Sequence, residues 1–165
     1  MIIYNDEKFF NNTFNDENEL EIVVKNNYEH LFGPSSIYLP KAKISTSSGT
    51  GTIPDGFAID IENKKWYIVE AELGSHNVWN HIAPQVTKQI LASLQDGTKS
   101  KLIDIASNMY SNDEEVKEKF NELKIKEIDV RKVLSSIFSL NPIIAIPIDY
   151  ISNDLKDWAK HKDMK

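Results

Sequence analysis

The chain has 165 residues, 41% of them hydrophobic and 10% aromatic, which suits one globular domain with a substantial core. It contains no cysteine, so disulfides, thiolate catalysis and Cys-ligated zinc are excluded. With 25 acidic against 19 basic residues the net charge is −6, which argues against tight nonspecific nucleic-acid binding but does not exclude DNA as a partner.

Residues 1–15 are polar and Asn-rich and read as a loosely held arm. The opening MIIYNDEKFFNN lacks the basic start and apolar stretch of a signal peptide. No run of about 18 apolar residues offers a membrane span. A cytoplasmic location without a membrane partner is expected. A helix is predicted from about Asp16 to Phe32, stopped by Gly33-Pro34. At about 100° per residue, Leu20, Val23, Val24, Asn27, Tyr28 and Leu31 form its apolar stripe. Glu21 lies on the edge of that stripe, where an acid needs a partner. Glu19 lies away from it, and a capping box with Asp16 accounts for it. Ser36–Ser45 reads as a strand in which Pro40 marks an edge or bulge. The Ser/Thr/Gly loop Thr46–Thr52 lacks the Gly-Lys-Ser/Thr ending of a phosphate-binding loop.

The most informative stretch is IPDGFAIDIENKKWYIVEAELG, in which two β-like runs, Pro54–Glu62 and Trp66–Leu73, flank a polar turn. A turn centred on Asn63-Lys64 pairs Ile61 with Trp66, Ile59 with Ile68, Phe57 with Glu70 and Asp55 with Glu72. All eight then share one face. Directly opposed Cβ atoms lie about 4.5–5.5 Å apart, so the carboxyl carbons of Asp55, Glu70 and Glu72 are expected within about 8 Å of one another. Single acids at strand ends are ordinarily solvated surface; three on one face repel and take up protons unless a cation joins them. Hard divalent cations prefer such oxygen ligands. A one-residue slip in pairing would move Asp55 to the opposite face.

A helix follows over about Asn77–Gln95, with Val86, Ile90, Leu91 and Leu94 toward the core and Gln85 and Gln89 on another face. His76 and His81, five apart, suit neither one helical face nor an HExxH zinc motif, and read as surface or capping residues. Residues 98–139 read as a helical insertion. Pro142–Tyr150 has the continuous apolar character of a buried strand, and Asn153–Lys162 closes with a short helix. The order predicts an α/β sandwich: a central mixed sheet with an αβββαβ core, flanked by helices on both faces.

That order, joined to Pro54-Asp55 and Glu70-Ala71-Glu72, resembles the PD-(D/E)XK nuclease superfamily over Asp16–Gln95 and the late strand Pro142–Tyr150. The resemblance implies a restriction-endonuclease-like fold in one domain and a DNA endonuclease dependent on Mg²⁺ or Mn²⁺. It implies that Asp55 and Glu70 hold the metal, that Glu21 matches the acid many members carry on the first helix, and that Gln85 matches a glutamine in the helix after the hairpin. Gln89 stands where many members have tyrosine. Glu72 stands where most have lysine, although some restriction endonucleases of the superfamily also carry glutamate there. In that variant Glu72 joins the catalytic group as general base or as ligand of a second metal. Lys88 is a candidate for the missing positive charge, its ordinary role being a solvated helix lysine. Two other readings stay open. One is a nuclease-fold module that binds DNA or a partner protein without chemistry, favoured by the missing lysine and the acidic balance. The other is an unrelated α/β domain with surface acids. A homodimer is left open as well.

Overall fold

A computed structural model describes residues 2–4, 7–9 and 14–162. Of the segment read as a loose arm, residues 1, 5–6 and 10–13 lie outside the described residues, while β1 (Ile2–Tyr4) and β2 (Glu7–Phe9) pair antiparallel. Asp16 caps α1 (Glu17–Asn26) by accepting the Glu19 N–H at 2.9 Å, and Glu19 Oε2 returns to the Asn15 N–H at 2.9 Å. The single helix expected to Phe32 breaks at Asn27. Its side-chain amide donates to the Val23 carbonyl at 2.8 Å, which competes with the helical ladder. The short helix α2 (Tyr28–Phe32) therefore starts afresh, burying Phe32 while Val23 and Leu31 stay exposed, contrary to the expected stripe. Gly33, at φ +108°, ends it in a conformation that L side chains rarely adopt.

The expected strand over Ser36–Ser45 is split at Pro40, which has no N–H for a ladder. Its first part is β3 (Ser36–Leu39). Its second is β4 (Ile44–Ser45), which forms a small hairpin with β5 (Gly51–Thr52). The central sheet has the order β3-β6-β7-β8, where β6 is Gly56–Asp60, β7 is Lys65–Val69 and β8 is Ile143–Ala145. The first three strands run antiparallel and β8 is parallel to β7.

The register of the acidic hairpin differs by two residues from expectation: Ile59 faces Trp66 and Phe57 faces Ile68. Asp60 is the cause. Its carboxylate takes the Asn63 N–H at 3.1 Å and the Asn63 amide at 2.8 Å, closing a four-residue turn with Lys64 at positive φ. A two-residue shift preserves the alternation of faces. Phe57, Ile59, Trp66 and Ile68 thus share one face with Ile37 and Leu39, against Leu102 of α4 (Asp96–Asn112), Phe120 of α5 (Glu114–Glu122) and Leu134 of α6 (Glu127–Phe138). Ala58 and Val69 on the other face pack on Leu20, Val24 and Phe32. The result is an α/β fold with helices on both faces of a four-stranded mixed sheet.

Between β7 and α4 the chain makes a π-helical turn, Val78–Ile82, and then α3 (Ala83–Ser93). Of the expected core face of α3, Val86 is fully buried and Ile90 packs against the same cluster, whereas Leu91 and Leu94 are exposed and Gln89 is buried instead. The late strand is shorter than Pro142–Tyr150 and lies at the edge of the sheet, with Ile143 exposed; the ladder breaks off before Pro147 and resumes only in an isolated parallel bridge between Ile148 and Glu72. Helix α7 (Asn153–Lys162) closes the chain. Among the described residues no helix is long and apolar enough to cross a membrane.

Candidate metal centre

The carboxylates gather where the hairpin leaves its ladder. The last paired residues are Gly56 and Val69, so Asp55 and Glu70 stand one step beyond. Gly56 is required there, because a Cβ would run into the Tyr38 hydroxyl. Asp55 Oδ2 accepts the Ala71 N–H at 2.9 Å, which stitches the two strand ends together. Its other oxygen, Oδ1, lies 2.9 Å from Lys41 Nζ, and Lys41 Nζ lies 2.6 Å from Glu21 Oε2. Lys41 thus bridges the first helix to the strand, with Glu21 and not Glu19 on the sheet side. These groups line a cleft of about 500 Å³ together with Lys25 and Tyr38.

Glu70 is 3% exposed. Its carboxylate accepts from Gln89 Nε2 at 2.6 Å and from Gln85 Nε2, and its N–H donates to the Ala145 carbonyl at 3.0 Å. The bond to this acid accounts for the burial of Gln89 beside the apolar Val86 and Ala92. Gln89 Oε1 is buried and has no hydrogen-bond partner among the described residues. Burial, and then the Asp55 charge, push the Glu70 carboxyl up to about 8, against the opposing Gln89 bond. Burial also raises Glu21, and Lys41 opposes the shift. Burial works against the charge on Lys41, but hydrogen bonds to Glu21 and Asp55 outweigh it and hold the ammonium above its ordinary range. Burial and the Asp55 and Glu21 charges push the Tyr38 hydroxyl up to about 12.

Glu72 departs from expectation. It is 1% exposed, and its carboxylate turns to histidines rather than to Asp55. Glu72 Oε2 lies 2.8 Å from His76 Nδ1 and 3.6 Å from His81 Nε2, and Glu17 Oε1 lies 2.9 Å from the same His76 nitrogen. The pairing of Glu72 across from Asp55 fails because the register places Asp55 beside Glu70, while the Glu72 N–H is anchored to the Pro147 carbonyl at 3.0 Å. Burial raises the Glu72 carboxyl, and the His76 hydrogen bond opposes it. Glu17, Glu72, His76 and His81 each offer one ligand atom, all within 4.8 Å of one another, so this cluster could hold a metal ion.

The structure therefore brings together Glu21, Asp55 and, behind them, Glu70 with Gln85, and turns the Glu72 carboxylate to the histidines, from where its charge still acts on Glu70. Lys88 is exposed beside the Thr46–Thr50 loop. Lys41, Gln89, Glu17, His76 and His81 were not singled out as ligands or site residues by the sequence. The five-residue histidine spacing argued against a shared site, yet His76 in the bend before Asn77 and His81 in the π-helical turn bring their rings to 4.8 Å. No family model matches the chain, and neither a curated protein nor a solved structure matches it.

Proposed function

We propose that the protein is a metal-dependent DNA endonuclease of the restriction-endonuclease-like fold, with Mg²⁺ or Mn²⁺ held by Asp55, Glu70 and Glu21. The observation that carries this reading is the cleft at the open end of the hairpin, where Glu21 and Asp55 face one another across Lys41; Glu70 follows the last paired residue next to Asp55, buried behind that cleft and gripped by two glutamines. The all-oxygen donor set suits a hard cation. Bound there, such an ion would polarise a phosphate and lower the pKa of a water nucleophile. The chain's own residues do the rest. The Ala71 N–H fixes the plane of Asp55, and Gln85 and Gln89 orient Glu70. Lys41 and Lys25 put positive charge on the cleft of an acidic protein, where a DNA backbone would lie. Lys41 also supplies the ammonium that the Glu72 position lacks, while the Glu72 carboxylate is engaged with His76.

A second reading, a nuclease-fold module that binds DNA or a partner protein without chemistry, is favoured by one observation: Lys41 already neutralises Glu21 and Asp55. Supercoiled plasmid and branched DNA, incubated with the protein in Mg²⁺, in Mn²⁺ and in EDTA, separate the two. Nicking is expected with metal and not with EDTA. Asp55→Asn and Glu70→Ala should each reduce it at least about 10²-fold, the scale of a positioned catalytic group. Intact DNA that is nonetheless retarded in a gel would favour the module. Lys41→Met is expected to slow cleavage while tightening Mn²⁺ binding, measured by calorimetry, because it removes the competing cation from two carboxylates. Unchanged cleavage would remove Lys41 from the mechanism.

A further inference from the structure

We infer that Glu17, Glu72, His76 and His81 form a separate site for a transition-metal ion of the zinc class, which fastens the first turn of α1 to the strand end and the π-helical turn. The inference does not depend on nuclease activity. Two imidazoles and two carboxylates suit zinc and its neighbours, whereas Mg²⁺ takes oxygen alone. Zinc bonds of about 2.0–2.2 Å in a tetrahedron put neighbouring donors roughly 3.3–3.6 Å apart. The His81 Nε2 to Glu72 Oε2 distance of 3.6 Å matches that edge and is too long for a hydrogen bond. The His76 contacts at 2.8 and 2.9 Å need open by about half an ångström, and donors that lie up to 4.8 Å apart need close by somewhat over an ångström, to reach it.

The donors are also held in place from outside the cluster. Asn77 Oδ1 accepts the N–H groups of Trp79 and Asn80 at 3.0 and 2.8 Å, which starts the turn between the two histidines. The His81 N–H bonds the Asn77 carbonyl at 2.9 Å. The Glu72 backbone is anchored at the Pro147 carbonyl, and the residue is buried. The other three ligands keep part of their surface exposed, which gives an ion a route in. Four protein donors leave no open position, the arrangement of a structural rather than a catalytic zinc.

Thermal melts of untagged protein in Zn²⁺, Mg²⁺ and EDTA test the inference, with cobalt absorption as a second readout. Zinc at about a hundred times its dissociation constant should raise the melting temperature by roughly 5–10 °C. Magnesium at the same concentration should not reproduce that rise, and cobalt should give the visible bands of a tetrahedral site. His76→Ala and His81→Ala should each abolish the zinc shift, and Asp55→Asn should keep it. Glu17→Gln, a change at a partly exposed helix start, should weaken zinc binding without disturbing the fold. Absence of both the zinc shift and the cobalt bands in the wild type would overturn the inference. So would a zinc shift that survives both histidine changes or is lost in Asp55→Asn, since either places the ion on other ligands.

Discussion

In metal-free buffer the protein is expected to lose stability as pH rises from about 5 to about 8, and Glu70→Gln to remove most of that slope. Glu70 is 3% exposed, and burial with the neighbouring Asp55 charge pushes its carboxyl up to about 8. In the unfolded chain the same group titrates near about 4.3. Between those values the folded state holds a proton that the unfolded state has released, so stability falls by up to about 1.4 kcal/mol per pH unit. The contribution is fully present below about 4.3 and is lost as pH rises through about 8, a total of about 3–5 kcal/mol. Glu21 and Glu72 are shifted in the same direction, so a shallow slope should remain in the variant. A glutamine at 70 carries no charge, and the Gln85 and Gln89 amides can rotate to meet it. Urea midpoints in EDTA at several pH values measure the effect. A wild-type profile that is flat between pH 5 and 8 would mean that Glu70 is ionised throughout, held by the glutamines. Saturating Mg²⁺ or Mn²⁺ should flatten the wild-type profile, since a cation favours the ionised carboxylates.

Which parts of this arrangement were legible in the sequence follows from the range of the interactions that set them. The common face of Phe57, Ile59, Trp66 and Ile68 depends on strand parity, and a two-residue error in register leaves parity intact. The register itself depends on Asp60 capturing Asn63, a local hydrogen bond that a simple two-residue turn does not anticipate. Glu21 was legible from helix periodicity because the break at Asn27 comes after it; Leu31 was misplaced because it comes before that residue. Gln89 could not be read as buried from an apolar pattern, since what turns it inward is Glu70 on another element. Lys41 follows a proline at a broken strand and meets its acids only in the tertiary fold. His76 and His81 do not fit the 3.6-residue period because only His81 is helical, in the π-helical turn, while His76 lies in the bend before its N-cap Asn77.

Glu72→Lys is expected to damage the protein rather than restore a commoner nuclease pattern. By the superfamily resemblance a lysine at this position would bring charge to the scissile phosphate. Here, however, the side chain at 72 is buried and directed toward His76, His81 and Glu17, away from the cleft that holds Glu21 and Asp55. An ammonium placed there loses its hydration and meets two imidazoles in place of the carboxylate they were paired with, and only the partly exposed Glu17 remains to balance it. Disrupting a buried charged group of this kind costs about 3 kcal/mol or more. In a chain of this size that lowers the melting temperature by roughly 6–12 °C. The zinc response should vanish with it. Glu72→Gln is the necessary companion, because it keeps the shape and removes only the charge. It should fold as the wild type does, bind zinc more weakly, and leave any cleavage within about threefold of wild type, well short of the 10²-fold scale of a lost general base. Loss of cleavage on that larger scale in Glu72→Gln would show that the carboxylate serves the reaction after all. Raised cleavage with an unchanged melting temperature in Glu72→Lys would show that the side chain at 72 turns back to the cleft when it carries positive charge.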